Sequence, residues 1–134
     1  MSNVHADLPK VMIIEDAIPI QLIIQYSLKE KFQVNMFKSG MEALTYLHKG
    51  NLPDIIITDL NIPEISGLEL LKQIKSSGLF SAIPVLILSG EESTEVRINC
   101  LESGADDFIV KPFNPRELEV RIRIILSRRS QLIS

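Results

Sequence analysis

A chain of 134 residues is long enough for one domain that buries about two-thirds of its unfolded surface. A composition of 46% hydrophobic and 23% charged residues excludes a disordered chain, and a net charge of −3 excludes a nucleic-acid surface held by bulk positive charge. A single cysteine excludes an internal disulfide, and no apolar run reaches the roughly 18 residues of a membrane span or a signal-peptide core at the start, so a cytoplasmic protein without membrane contact is expected.

Residues 1–8 carry no periodic pattern and are expected to be a tail, with His5 in it. The first strand is "KVMII" at 10–14, followed directly by Glu15 and Asp16. A helix over 18–31 comes next, with Pro19 in the first turn, where proline is tolerated, and a stripe of Ile20, Ile23, Ile24 and Leu28 for the core. The second strand, "VNMF" at 34–37, ends at Lys38. Ser39 and Glu42 form a capping box for a helix over 40–49, whose last turn places His48 where a cation suits the helix dipole.

The third strand, "DIIIT" at 54–58, runs into Asp59, an acid at the lip of the most apolar segment of the chain. Ser66 and Glu69 cap a helix over 67–76 that stops at Gly78. The fourth strand, "PVLIL" at 84–88, is followed by Ser89, and a helix over 94–103 carries Cys100 inward and stops at Gly104. The fifth strand, "DFIV" at 107–110, is followed by Lys111. Asn114, Pro115 and Glu117 then open a last helix over 115–129, with Arg128 and Arg129 at its cationic end and a short tail or linker at 131–134.

Near-continuous apolar strands covered on both faces, alternating strictly with helices, predict a doubly wound α/β domain with a five-stranded parallel sheet. Ligands of such sheets bind beyond the carboxyl ends of the strands. Glu15, Asp16, Asp59, Ser89 and Lys111 all fall there. Three carboxylates so close repel one another by several kcal/mol at an effective dielectric of about 20. Lys111 offsets one charge, and a divalent cation would offset the other two. Oxygen-only ligands favour magnesium over zinc. An aspartate beside a metal and a lysine is equipped to attack phosphorus, with Ser89 donating to the product.

The stretches "IIEDAIPIQLII", "IIITDLNIPEISGLELLKQI", "PVLILSGEES" and "LESGADDFIVKPFNPRELEVRI" resemble the receiver domain of bacterial two-component response regulators over residues 9–130. The resemblance implies a flavodoxin-like three-layer sandwich with strand order 2-1-3-4-5. It implies that Asp59 accepts a phosphoryl group from a histidine kinase or phosphotransfer protein. Asp16, Asp59 and the Asn61 carbonyl would hold Mg2+, with Glu15 acting through water, while Ser89 and Lys111 would contact the phosphoryl oxygens. A cis Lys111–Pro112 bond, a Phe108 whose exposure changes on switching, and kinetic control by Asn61 and Glu91 follow from the same source. Such a protein is not an enzyme for other molecules; it catalyses only its own phosphorylation and dephosphorylation, and changes its affinity for a downstream protein or output domain.

The C-terminal third is most similar to receivers of the winged-helix transcription-factor subfamily. That implies a two-fold dimer through the fourth helix, fifth strand and fifth helix, with Arg97 facing Glu117, Asp107 facing Arg121 and Asp106 facing Arg123, and no nucleic acid bound by this domain. Thr94 and Glu119 stand where that subfamily tends to be apolar. Ser66 and Gly90 also depart from the family's usual residues without removing any site group. The competing readings are the receiver part of a longer regulator and, more remotely, a haloacid-dehalogenase-type phosphohydrolase. Against the latter, Asn61 stands where that chemistry needs a second aspartate.

Overall fold

The computed structural model describes residues 7–91 and 93–133, with side chains as far as residue 129, so His5 lies outside the described residues. Strands β1 (Lys10–Ile14), β2 (Gln33–Phe37), β3 (Ile55–Asp59), β4 (Val85–Ser89) and β5 (Asp107–Val110) form one parallel sheet in the order β2-β1-β3-β4-β5. Helices α1 (Ile18–Leu28), α2 (Gly40–His48), α3 (Gly67–Ser76), α4 (Thr94–Glu102) and α5 (Pro115–Ile133) alternate with them. The expected α/β sandwich and strand order are both present.

The period of two along each strand builds the core on both faces. Met12, Ile14, Ile56 and Ile87 pack with Leu44, Leu47, Leu70, Leu71, Ile74 and Cys100 on the side of α2, α3 and α4. Val11, Ile13, Ile55, Ile57, Leu86 and Leu88 pack with Ile24, Leu28, Leu118 and Ile122 on the side of α1 and α5. Each such side chain contributes about 1.5–3 kcal/mol on burial, which is why the strands that bear the site are its rigid support.

Ser39, Ser66 and Asn114 cap their helices as expected, accepting from the backbone N–H of Glu42, Glu69 and both Arg116 and Glu117. Ser93 caps α4 by accepting from Val96 N–H, a cap the sequence reading passed over. Helix α1 is the exception among the described helices, because its N-cap is Ala17 and no side chain of that residue can serve.

The bounds differ in informative ways. Strands β3 and β4 each run one residue past the expected end, since Asp59 pairs in register with Leu88 and Ser89 with Val110. Asp59 and Ser89 therefore stand on strands, not on the loops after them. Helix α1 stops at Leu28, short of the expected 31, while the Leu28 carbonyl accepts from Lys31 and Phe32 N–H. Helix α5 continues to Ile133, beyond the expected 129. Gly104 takes φ 108° as a left-handed stop, but Gly78 does not take a positive φ. Helix α3 ends instead where the Ser77 hydroxyl accepts from Leu79 and Phe80 N–H. Ile23 is 48% exposed and not in the core, because the apolar stripe of α1 is wider than the face that meets the sheet.

Helix α5 is tied to the chain after α1 by Lys31 Nζ on Glu119 Oε2 at 2.9 Å, with Arg123 on the same carboxylate at 2.8 Å. The bond from Lys31 holds the Glu119 carboxyl below its ordinary 4.5. A depressed folded pKa gives stability that is present above the unfolded value and lost as pH falls through the folded one. Lys31→Met should therefore destabilise the domain at neutral pH by less than about 1 kcal/mol. Thermal melts across pH should show that difference shrink as pH falls below 4.5 and through the depressed folded value.

Candidate functional site

The carboxyl ends of β1, β3 and β5 converge on one pocket of charge. Glu15 follows β1, donates its backbone N–H to the Phe37 carbonyl at 2.9 Å, and is 1% exposed. Asp59 ends β3 and is 6% exposed, whereas Asp16 is open to solvent. Carboxylate oxygens of Glu15, Asp16 and Asp59 all lie within 4.8 Å of one another. Lys111, just past β5, donates through Nζ to Glu15 Oε1 at 2.9 Å and to Asp59 Oδ2.

Backbone bonds fix these groups from behind. Lys111 N–H donates to the Ser89 carbonyl at 2.7 Å, and the Lys111–Pro112 bond is cis, as the resemblance implied. Thr58 Oγ1 donates to the Asp59 carbonyl at 2.9 Å, and Asn61 N–H donates to Asp59 Oδ1 at 3.2 Å. The Ser89 hydroxyl oxygen, fully buried, accepts from Glu91 N–H at 3.0 Å, which leaves its proton free to be donated. A Cβ on Gly67 would lie 2.2 Å from the Asp59 carbonyl oxygen, so only glycine lets the start of α3 back onto the strand end. A Cβ on Gly40 would lie 2.6 Å from Ile65, which packs the same loop against α2. Within that loop Glu64 takes φ 74°, an uncommon conformation for a residue with a side chain.

The charges do not balance. Burial raises the Glu15 carboxyl above its ordinary value; the bonds from Lys111 and Ala17 pull it down only in part, and the Asp59 charge pushes it further up. Burial alone would lower the Lys111 ammonium, but its bonds to Asp59 and Glu15 outweigh that and hold it above its ordinary value. One ammonium shared by three acids leaves excess negative charge facing oxygen donors only. Among the described residues no histidine or cysteine joins the cluster: His48 is bonded to the Leu44 carbonyl, and Cys100 is buried in α4. The donor set fits a hard divalent cation.

Other expected site residues lie around this cluster. Asn61 and Glu91 are exposed beside it, and Phe108 is half buried against the core on the α4 side. Most charges expected on a dimer face are already satisfied within the chain. Arg121 binds both Asp107 and Glu117 at 3.0 Å. Asp106 accepts from Val85 N–H at 2.8 Å and pairs with Lys75 at 3.5 Å, and Arg123 pairs with Glu119. Arg97 is exposed and makes no ion pair among the described residues. Sequence reasoning missed that the Glu15 carboxylate also holds the turn into α1, accepting from Ala17 N–H at 3.0 Å, and that Gln21 donates to the Glu15 carbonyl. The signal for the second was the lone polar side chain in "IPIQLII".

Residues 11–123 match the response regulator receiver domain family. The phosphate regulon transcriptional regulatory protein PhoB of Rhizobium meliloti is 34% identical over 90% of this chain and 53% of its own length. The transcriptional regulatory protein CreB of Escherichia coli is 39% identical over 88% of this chain and 51% of its own. The chain thus spans about half the length of these curated regulators. Among solved structures, the Francisella response regulator 1452 receiver domain superposes with a TM-score of 0.84 at 35% identity, covering 90% of this chain and 98% of that one.

The charge imbalance has a measurable consequence. In metal-free protein, Asp16→Asn removes one of the under-compensated charges and should raise the thermal midpoint by about 2–5 °C. A hard divalent cation at millimolar concentration should raise the midpoint of the unmodified protein and leave that of the variant nearly unchanged. Calorimetry on both proteins with and without the cation checks this.

Proposed function

Since the chain belongs to the response regulator receiver domain family, with its acidic cluster at the phosphorylation site of a two-component receiver, we propose that it is a magnesium-dependent phosphoacceptor switch in which Asp59 takes a phosphoryl group from a histidine kinase or phosphotransfer protein. The observation that carries this reading is Lys111 Nζ bridging Glu15 and Asp59 where the three carboxylates converge. In the transfer, a carboxylate oxygen of Asp59 forms the new bond to phosphorus. The bond from phosphorus to the donor's nitrogen breaks, and its electron pair leaves with the donor.

Asp16, Asp59 and the Asn61 carbonyl would hold Mg2+, with Glu15 contributing through water; the metal would supply charge neutralisation on the phosphoryl oxygens. Lys111 neutralises a further oxygen of the same group, already held within reach of Asp59. Ser89, its oxygen fixed by Glu91 N–H, donates its proton to the product. Phe108 follows the movement of Ser89 toward the phosphoryl group and so changes exposure, which biases a two-state surface toward one partner. Asn61 and Glu91, both exposed beside the cluster, orient the water that later cleaves the acyl phosphate. The receiver is read as acting in the cytoplasm, on itself alone, without binding nucleic acid. Its output is a downstream protein or an output domain of a longer regulator. Among the described residues no helix is long and apolar enough to cross a membrane.

The activated form is read as a two-fold dimer through α4, β5 and α5, since an isologous face needs each charged pair once in sequence to form it twice. Exchanging partners between Arg121, Asp107 and Glu117 returns what it removes, because these groups are already paired in the monomer. The dimer is therefore weak and sensitive to salt. Sedimentation with beryllofluoride and magnesium should show association that fades as salt rises; a monomer under all conditions argues for output by direct contact with another protein.

Acetyl phosphate with magnesium should label Asp59 as an acid-stable, base-labile adduct. Asp59→Asn should abolish the label, and chelation of magnesium should suppress it. Mass spectrometry that finds the label unchanged in Asp59→Asn sinks the assignment.

A further inference from the structure

The opening turns of α1 read "IPIQLII", with one polar side chain among apolar ones. Ile24 and Leu28, three and seven residues beyond Gln21, share its face of the helix and are buried, and Gln21 itself is half buried. A polar amide on the inward face of a helix needs a partner. The side-chain Nε2 of Gln21 donates to the backbone carbonyl of Glu15, the residue that joins β1 to the acidic cluster.

That bond answers a particular weakness. The other helices begin on a serine or asparagine cap, but α1 begins on Ala17 and carries no acidic residue in its first turn. Its entry is held by the Glu15 carboxylate, whose Oε2 accepts from Ala17 N–H at 3.0 Å while Oε1 accepts from Lys111 at 2.9 Å. The same carboxylate lies in the acidic trio, so any cation there competes with the Ala17 N–H for its oxygens. Gln21 binds the Glu15 main chain, which that competition does not touch.

We propose that Gln21 is a positioning residue for the acidic pair: by holding the Glu15 carbonyl it fixes the β1–α1 turn, and so keeps Asp16 turned to the cluster while the Glu15 carboxylate serves the cation. The inference rests on the reading of Glu15, Asp16 and Asp59 as a cation site. Residues that orient metal ligands from behind typically change affinity by about 10–100-fold when removed. A single neutral amide acting through a backbone carbonyl belongs at the lower end of that range.

The test is a magnesium titration of the whole chain followed by amide NMR, on the unmodified protein, Gln21→Met and Gln25→Met. Methionine matches glutamine in length and helix propensity but donates nothing. Gln25, one turn on, is exposed, and serves as the control for losing an amide from α1. Gln21→Met should bind magnesium about tenfold more weakly, with the Asp16 and Ala17 amide signals displaced before metal is added. Gln25→Met should behave as the unmodified protein. Equal affinity in Gln21→Met overturns the inference alone; no binding by the unmodified protein overturns the cation reading and this inference with it. In the unmodified protein a Gln21 side-chain proton should also exchange slowly with solvent, a readout that does not depend on any variant folding. Rapid exchange of both protons counts against the bond.

Discussion

The ammonium of Lys111 stands between two buried acids, Glu15 and Asp59, and has a third, Asp16, within the same cluster. Burying a carboxylate is costly unless it is paired and hydrogen-bonded, and here one cation has to serve where three are called for. The rest of the site follows from that shortage. Glu15 is left with a raised pKa despite its lysine partner, because burial and the neighbouring Asp59 charge exceed what the pairing returns. Lys111 is held more firmly protonated than an ordinary lysine by the same two acids. A cluster of such charge is consistent with a site for a small divalent cation, as is typical of receiver domains.

Holding such a cluster together demands a rigid frame, and the frame is the sheet. Asp59 is the last paired residue of β3, flanked by fully buried Ile57 and Thr58, and cannot retreat from its neighbours by a backbone shift without opening the core. The loop after it is pressed from two sides. Gly67 allows α3 to meet the Asp59 carbonyl, and Gly40 allows Ile65 to lie against α2. Glu64 accepts a left-handed φ between those two anchors. The strain sits in the loop, and Asp59 stays where the strand puts it.

The strand pattern, the alternation and the acids after the strands made the architecture legible from the sequence, together with the convergence of Glu15, Asp16 and Asp59 at one sheet edge. The β-branched runs marked the buried strands, and three of the helix caps were visible in Ser39, Ser66 and Asn114. Less legible was anything that depends on a third dimension. The exposure of Ile23 depends on how α1 is rolled against α5, and no single stripe of residues encodes that angle. Of the charges expected on an intermolecular face, Asp107 meets Arg121 of α5 and Asp106 meets Lys75 of α3 within the chain, pairings set by how those elements pack. The contact that holds the turn into α1 was invisible for a different reason. Its acceptor is the carboxylate of Glu15, a residue already in the acidic cluster, while Asp16, the capping type next to Ala17, belongs to that cluster as well.

Charge deficit is the property that suits the acidic cluster to a divalent cation. Calorimetric titration of magnesium into Lys111→Met, paired with its rate of labelling by acetyl phosphate, tests that most directly. Removing the ammonium should tighten magnesium several-fold, since the acids lose their internal counter-ion, while labelling at Asp59 should collapse because one phosphoryl oxygen is left without its partner. Magnesium binding that weakens, or labelling that proceeds at the unmodified rate, would contradict the account.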